Sequence, residues 1–67
     1  MAVSNNLKLI RKERHIGQAE IANATGSCRL TISRIERGER NPSLEMAIRI
    51  ARFFDLAVED IFQIQDI

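Results

Sequence analysis

The sequence predicts an all-α domain of five short helices, with a short two-stranded β-element formed by its two ends. Three observations support this: apolar residues recur at three- and four-residue intervals, helix-starting and helix-stopping residues separate these segments, and only the tail over 62–65 alternates with period two. Residues 2–4 are the only evident partner for that tail. At 67 residues, the chain has room for one domain, spanning 1–67.

Local signals place the first three helices and the breaks between them. We expect the first helix over about residues 5–14, after polar side chains that can cap it, and the second over residues 18–25. Gly26 then ends the second helix, because glycine adopts the left-handed conformation without a steric penalty. The third helix is expected over residues 29–37, before Gly38.

The fourth helix has the most regular apolar pattern in the chain. We expect it to begin at Pro42 or Ser43 and to end at Asp55, which tolerates a left-handed cap. A short fifth helix is expected over residues 58–62. The apolar residues of the fourth helix recur at helical intervals and predict its core face: Leu44, Ala47, Ile48, Ala51 and Phe54.

Composition excludes several classes of protein. With 45% apolar and 28% charged residues, the chain is typical of a globular domain. It has no apolar run long enough for a membrane span and no secretory signal, so we expect a cytoplasmic protein with no membrane partner. A single cysteine with a single histidine provides neither a disulfide nor a four-ligand zinc site. No catalytic set appears, so we expect no enzyme, metal, cofactor or small-molecule substrate.

The net charge of +1 conceals an uneven distribution along the chain. Residues 1–40 carry eight basic against four acidic side chains, a net +4, and residues 41–67 carry two against five, a net −3. A basic front half suits contact with a polyanion, although a solvated charged surface is the commoner explanation of such a split.

The segment over residues 18–37 provides the functional signal. Its two short helices meet at a four-residue corner that begins with Gly26. Two helices that cross steeply need a small residue at their contact, which Ala22 supplies, and apolar residues that hold them together, which Ile32 and Ile35 supply. This spacing is typical of a helix-turn-helix, whose second helix lies in the DNA major groove.

From residue 6 to residue 62 the sequence resembles the Xre-like helix-turn-helix family, the class of phage Cro proteins and repressors. The segments that carry the resemblance are LKLIR (7–11), QAEIA (18–22), RLTISRIERG (29–38), NPSL (41–44) and EDIF (59–62). The chain is most similar to the short stand-alone cytolysin-operon repressors. The resemblance implies a five-helix, lambda-repressor-like DNA-binding domain and a homodimer with a small β-element.

The resemblance also implies roles for individual residues. The residues implied to read DNA bases are Arg29, Leu30 and Arg34. The residues implied to contact the DNA sugar–phosphate backbone are Gln18, Thr31, Ser33, Arg37, Gly38, Arg40 and Asn41. Arg34 can grip a guanine with two hydrogen bonds. Leu30, where the family more often has a polar residue, either packs on a thymine methyl or is a weak position. Arg11 and Glu36 match family positions that form a buried ion pair.

Apolar residues in the acidic half predict an interface between two copies of the chain. We expect a dimerisation region over about residues 53–67, with Phe53, Ile61, Phe62 and Ile64 at the contact. Phe53 and Phe54 are adjacent, so helical geometry sends them to different faces and only one of them can lie in the core. A chain below about 70–80 residues also gains stability from a second copy.

These features together predict a homodimeric transcriptional regulator, a repressor, that binds double-stranded operator DNA. The chain has no room for a ligand-binding domain, so relief of repression requires a regulatory protein partner or a change in protein level. One alternative is the antitoxin of a toxin–antitoxin pair. Another is a protein-interaction module on the same fold, which would have no need for the arginines Arg29, Arg34, Arg37 and Arg40.

Overall fold

The computed structural model describes residues 2–65. In chain order, the elements are β1 (Ala2–Asn5), α1 (Leu7–Glu13), α2 (Gln18–Thr25), α3 (Arg29–Glu36), α4 (Leu44–Phe54), α5 (Val58–Ile61) and β2 (Phe62–Gln65). The predicted five helices and terminal β-element are confirmed. Residues 66–67 of the predicted dimerisation region lie outside the described residues. Within residues 2–65, no helix combines the length and the apolarity that crossing a membrane requires.

The first helix begins later than predicted because Asn5 belongs to β1. The Asn5 side chain accepts a hydrogen bond from the Leu7 backbone N–H (3.1 Å) and donates one to the Ile35 carbonyl oxygen (2.8 Å). One side chain therefore starts α1 and fastens it to the end of α3. The sequence pattern shows a polar residue at position 5 but not that its amide reaches a carbonyl thirty residues away.

The two strands pair antiparallel and hold the ends of the described chain together. Val3 lies opposite Ile64, and Asn5 lies opposite Phe62. The Asn6 backbone N–H extends the ladder by donating to the Ile61 carbonyl oxygen (3.1 Å). This pairing seats α5 and β2 beside the first residues of α1.

One apolar core joins all five helices. Its buried residues are Leu7, Ile21, Ala22, Ile32, Ile35, Ala47, Ile50, Ala51, Phe54, Ile61 and Phe62. Partly buried side chains, among them Val3, Ile10 and Phe53, pack around it. Of the two adjacent phenylalanines, Phe54 is in the core and Phe53 contacts it edge-to-face, with the ring centroids 5.0 Å apart.

The core face of α4 differs from the one predicted. Leu44 and Ile48 are 77% and 39% exposed, whereas Ile50 is fully buried. The apolar residues of this helix satisfy helical spacing on two neighbouring faces, and a domain of this size covers only one of them. The buried face is the one that α2 and α5 pack against.

The assignment of Ile61 to a dimer interface is wrong, because this side chain has no exposed surface within one chain. Phe62 is also mostly buried, whereas Ile64 is 60% exposed. The period-two alternation of the tail produces this difference, because neighbouring residues of a strand point to opposite faces. Of the four residues predicted for the interface, Ile64 has the most surface available to a second copy.

The corner between α2 and α3 has the predicted glycine geometry. Gly26 lies in the left-handed region, with φ 72° and ψ 28°, and the backbone N–H groups of Gly26 and Ser27 both donate to the Ala22 carbonyl oxygen. Thr25 is buried, and its hydroxyl donates to the Ile21 carbonyl oxygen (2.8 Å). The threonine therefore adds no unpaired polar group to the core.

Specific residues define both ends of α4. The helix begins at Leu44, one or two residues later than predicted, and the Ser43 hydroxyl caps its start by accepting from the Met46 backbone N–H (3.1 Å). Asp55 ends it in the left-handed conformation, with φ 58°. The Arg14 guanidinium lies 5.4 Å from the centre of the Phe54 ring and donates to the Phe54 carbonyl oxygen. A cation at this position complements the negative end of the helix dipole.

The predicted ion pair between Arg11 and Glu36 is present and forms the centre of a network. Arg11 Nε lies 2.7 Å from Glu36 Oε2, and Arg11 Nη2 lies 3.2 Å from Oε1. Arg11 also donates to the Ile16 carbonyl oxygen (3.2 Å), and the Gln18 amide donates to Glu36 Oε1 (3.0 Å). The Glu36 side chain is only 3% exposed, so its charge depends on these partners. The network joins α1, α2 and α3.

The Gly26→Val variant is expected to lose about 1–2 kcal/mol of unfolding free energy, because a β-branched residue is strained at a positive φ. Gly26→Asn is the matched control, since asparagine tolerates the left-handed conformation better than other residues. Urea unfolding followed by circular dichroism measures both variants. Equal stability of the valine variant and the wild-type protein would contradict the role of Gly26 in the corner.

The Glu36→Leu variant is expected to lose about 3–5 kcal/mol of unfolding free energy, because it leaves the Arg11 guanidinium without its buried partner. The double variant Arg11→Met/Glu36→Leu replaces both charges with apolar side chains and is expected to be more stable than the single variant. The same urea titration tests this order. If the double variant were the less stable of the two, the buried pair would not be the source of the loss.

Candidate nucleic-acid interface

One face of α3 is buried and the opposite face is exposed. Successive residues of a helix are rotated by about 100°, so Leu30 lies about 170° around α3 from the midpoint of the buried Ile32 and Ile35. Arg34 and Arg37 lie within about 40° of Leu30 on the same scale, and all three side chains are exposed. The exposed face of α3 is thus an apolar side chain flanked by two guanidinium groups.

A polar cleft of about 490 Å³ runs beside this face, between α1, the start of α2 and α3. We call it the cationic cleft, and its lining residues are Lys8, Arg11, Lys12, Gly17, Gln18, Ala19, Arg29, Ser33, Glu36 and Arg37. Five of these side chains are basic and one is acidic. Since Arg11 already neutralises Glu36, the cleft retains an excess of positive charge that favours anionic ligands.

The residues at the start of α2, Gly17, Gln18 and Ala19, line this cleft. The first turn of a helix leaves N–H groups without partners inside the helix, and these groups bind phosphates readily. Here the Glu20 carboxylate accepts from the Gly17 N–H (3.2 Å), which gives α2 a side-chain contact that glycine itself cannot make. The Gln18 side chain, predicted to touch a phosphate, is held at the cleft by Glu36.

Lys8 and Lys12 line the cleft, although the sequence analysis assigned them no role. They are four residues apart on α1, so they lie on one face of that helix, and both are exposed. Their i, i+4 spacing is visible in the sequence. What the sequence lacked was the position of α1 relative to α3. The Arg11–Glu36 pair joins these two helices, and their arrangement brings this face to the cleft.

The residues predicted to contact the DNA backbone do not all lie together. Gln18, Ser33 and Arg37 line the cationic cleft, and so does Arg29, which was predicted to read bases. Gly38, with φ 74°, and Arg40 lie in the exposed loop that follows α3. In that loop Glu39 lies 3.2 Å from the Arg37 guanidinium, an exposed pair that a phosphate can displace.

Two other predicted contacts lie outside the cleft. Asn41 lines a separate apolar groove instead. Thr31 is partly buried, and its hydroxyl lies 3.3 Å from the Cys28 sulfur at the start of α3. This hydrogen bond lowers the pKa of the exposed Cys28 thiol below its ordinary value.

The apolar groove, of about 590 Å³, shares no lining residue with the cationic cleft. It lies between the β-element, α5 and the start of α4. Its apolar lining residues are Val3, Pro42, Leu44, Ala47, Val58, Phe62 and Ile64. Two of the four residues predicted for the dimer interface, Phe62 and Ile64, are among them. Within residues 2–65, no cluster of three His, Cys, Asp or Glu side chains is arranged to hold a metal ion.

Known proteins resemble this chain in sequence and in fold. An uncharacterized HTH-type transcriptional regulator of Methanocaldococcus jannaschii is 41% identical over 64 residues, which cover 96% of this chain and 97% of the relative. The transcriptional repressor RstR of the cryptic phage CTXphi, from Vibrio cholerae, is 29% identical over 58 residues, and the match covers 87% of this chain and 52% of RstR.

Among solved structures, the restriction-modification controller protein C.AhdI from Aeromonas hydrophila superposes with a TM-score of 0.75 at 28% identity. That match covers 81% of this chain and 82% of the controller protein. The sequence profile of the helix-turn-helix family matches residues 7–61, from the first residue of α1 to the last of α5. The resemblance that the sequence motifs indicated is thereby confirmed, and the chain belongs to the helix-turn-helix family.

Proposed function

We propose that this helix-turn-helix transcriptional regulator is a repressor that binds double-stranded operator DNA as a homodimer, with α3 in the major groove. The observation that carries the proposal is the cationic cleft beside the exposed face of α3. A helix that enters the major groove brings its flanking elements against the sugar–phosphate backbone. Here those flanking elements present basic side chains and a helix start, both of which suit phosphate.

The cationic cleft and the exposed face of α3 have different roles in DNA binding. Contacts to phosphate fix the position of the protein on the duplex, and contacts to base edges determine which sequence is preferred. Gln18, Lys8 and Lys12 lie at the cleft and serve the first purpose. Leu30 and Arg34 lie on the far side of α3 from the core and serve the second. Arg29 lies at the edge between the two, so we assign it both a phosphate contact and base reading.

The apolar groove and Ile64 support the dimer. Isoleucine and leucine side chains that line a groove on a small domain suit an interface, and a two-fold dimer buries the same patch on both copies. The acidic residue Glu59 lines the groove. The groove and the cationic cleft share no lining residue, so the groove remains available while the cleft holds DNA.

Repression follows from occupancy of a promoter in the cytoplasm. A dimer that covers two half-sites excludes other proteins from the same DNA. The name of RstR, a transcriptional repressor, supports this sign of regulation over activation. A protein partner or a change in protein level would end repression.

Selection of bound duplexes from a random pool tests DNA binding and the dimer together. We expect a site with dyad symmetry whose half-site centres lie about 34 Å apart, one turn of DNA. Recovery of no sequence above the input pool would contradict specific DNA binding and favour the protein-interaction module.

Within the selected site, Arg34→Ala is expected to relax base preference at one position of each half-site, at a cost of about 1–3 kcal/mol per contact. Arg37→Ala is expected to weaken binding to all sequences and to reduce the salt slope by about one. Fluorescence anisotropy titrations at several salt concentrations distinguish these effects. Arg52→Ala, an exposed arginine on α4 outside the cleft, is the matched control and should bind as wild type. Equal losses on every sequence for Arg34→Ala and Arg37→Ala would refute the division of roles.

Ile64→Asp is expected to shift the protein from dimer to monomer, because it places a charge in the apolar contact. Analytical ultracentrifugation at micromolar concentration should show the shift, and operator affinity should fall since half of the DNA contacts are lost. Leu9→Asp is the control, because Leu9 is similarly exposed at 59% but lines neither the groove nor the cleft. A wild-type protein that sediments as a monomer on a site without symmetry would exclude the dimer.

A further inference from the structure

The exposed face of α3 has an unusual chemistry for a surface that reads DNA. Arginine is suited to guanine, and serine can pair with several bases, but Leu30 can neither donate nor accept a hydrogen bond. Its side chain is nevertheless 53% exposed at the centre of the face, with Arg37 and Arg34 on either side. A side chain in this position faces the bases when α3 enters the major groove.

We propose that Leu30 reads thymine through the 5-methyl group, within about two base pairs of the guanine read by Arg34. The inference rests on the proposed function, since it assumes that α3 enters the major groove. Thymine is the base that presents a methyl group there, and apolar side chains discriminate in its favour by contact with that methyl. A polar base edge facing Leu30 would instead lose its water without gaining a partner.

The distance between the two readers follows from helix geometry. Leu30 and Arg34 are one turn apart, which is about 6 Å along the helix axis. Successive bases of one strand are about 3.4 Å apart, so the two side chains address positions no more than about two base pairs apart. This sets a spacing between a guanine and a thymine in each half-site that the selected sequence must contain.

Burial separates Leu30 from the other apolar side chains of α3. Ile32 and Ile35 are fully committed to the core, so neither can reach DNA without unfolding the helix. Within residues 2–65, the lining of the cationic cleft does not include Leu30 and contains one apolar side chain, Ala19, which is too short to extend beyond its basic neighbours. Among the apolar side chains of α3, Leu30 is therefore the one with surface available to a base.

Replacement of thymine by deoxyuridine tests the proposal, because it removes the methyl group and leaves the base-pairing edge unchanged. Each thymine of the selected duplex is replaced in turn, and affinity is measured by fluorescence anisotropy. For the wild-type protein we expect one symmetric position at which deoxyuridine lowers affinity by about fourfold per half-site, the effect of losing one buried methyl group. That position should lie within two base pairs of the guanine whose identity matters to Arg34.

The Leu30→Ala variant completes the test. It should bind the thymine duplex less tightly than wild type and should show no change at the position where wild type responds to deoxyuridine. Leu9→Ala is the matched control, since it truncates an equally exposed leucine outside the cleft and should keep the wild-type response.

The possible results distinguish a failure of the role of Leu30 from a failure of the proposed function. A selected site at which no thymine responds to deoxyuridine overturns the role of Leu30 and leaves DNA binding intact. A response that persists unchanged in Leu30→Ala also overturns it, since another side chain would then contact the methyl. If no sequence is selected at all, the proposed function fails and this inference fails with it.

Discussion

The buried carboxylate of Glu36 is the constraint on which the candidate DNA-binding surface depends. A charge with so little exposure is stable only while it is paired, and its partners come from α1 and from the start of α2. To keep those bonds, the three helices must hold one relative arrangement. That arrangement places the basic residues of α1, the start of α2 and three residues of the α3 region, Arg29, Ser33 and Arg37, around one cleft that runs beside the exposed face of α3. The ion pair thus positions the basic side chains that line the cleft.

The motif-bearing parts of the fold were predictable from sequence because local rules determine them. Gly26 and Ser43 each carry out a task that depends on a few neighbouring residues, a left-handed corner and an N-cap respectively. Periodicity could not choose between two adjacent apolar faces of α4, because Leu44 and Ile48 follow the helical repeat as well as Ile50 does. The choice depends on which face α2 and α5 cover, which is tertiary information.

The same limit applies to the site. The helix-turn-helix spacing located α3, and the structure places Leu30 and Arg34 on its exposed face. The sequence motifs gave no role to Lys8 and Lys12, because the position of these side chains at the cleft depends on how α1 packs. The sequence also predicted Ile61 at an interface, because composition shows how much apolar surface the tail has. Composition does not show which of these side chains are buried within a single copy of the domain. Residues whose role depends on distant packing are those that sequence reasoning missed.

The pairing of β1 with β2 has a consequence for how the domain folds. The corner between α2 and α3 forms from neighbouring residues, whereas the strand pair closes a loop that includes nearly the whole described chain. Closing such a loop carries a large entropic cost before its hydrogen bonds compensate, so the strand pair forms late. Interactions that form after the transition state govern how fast a protein unfolds rather than how fast it folds. The strand pair is therefore expected to affect the unfolding rate of the domain more than its folding rate.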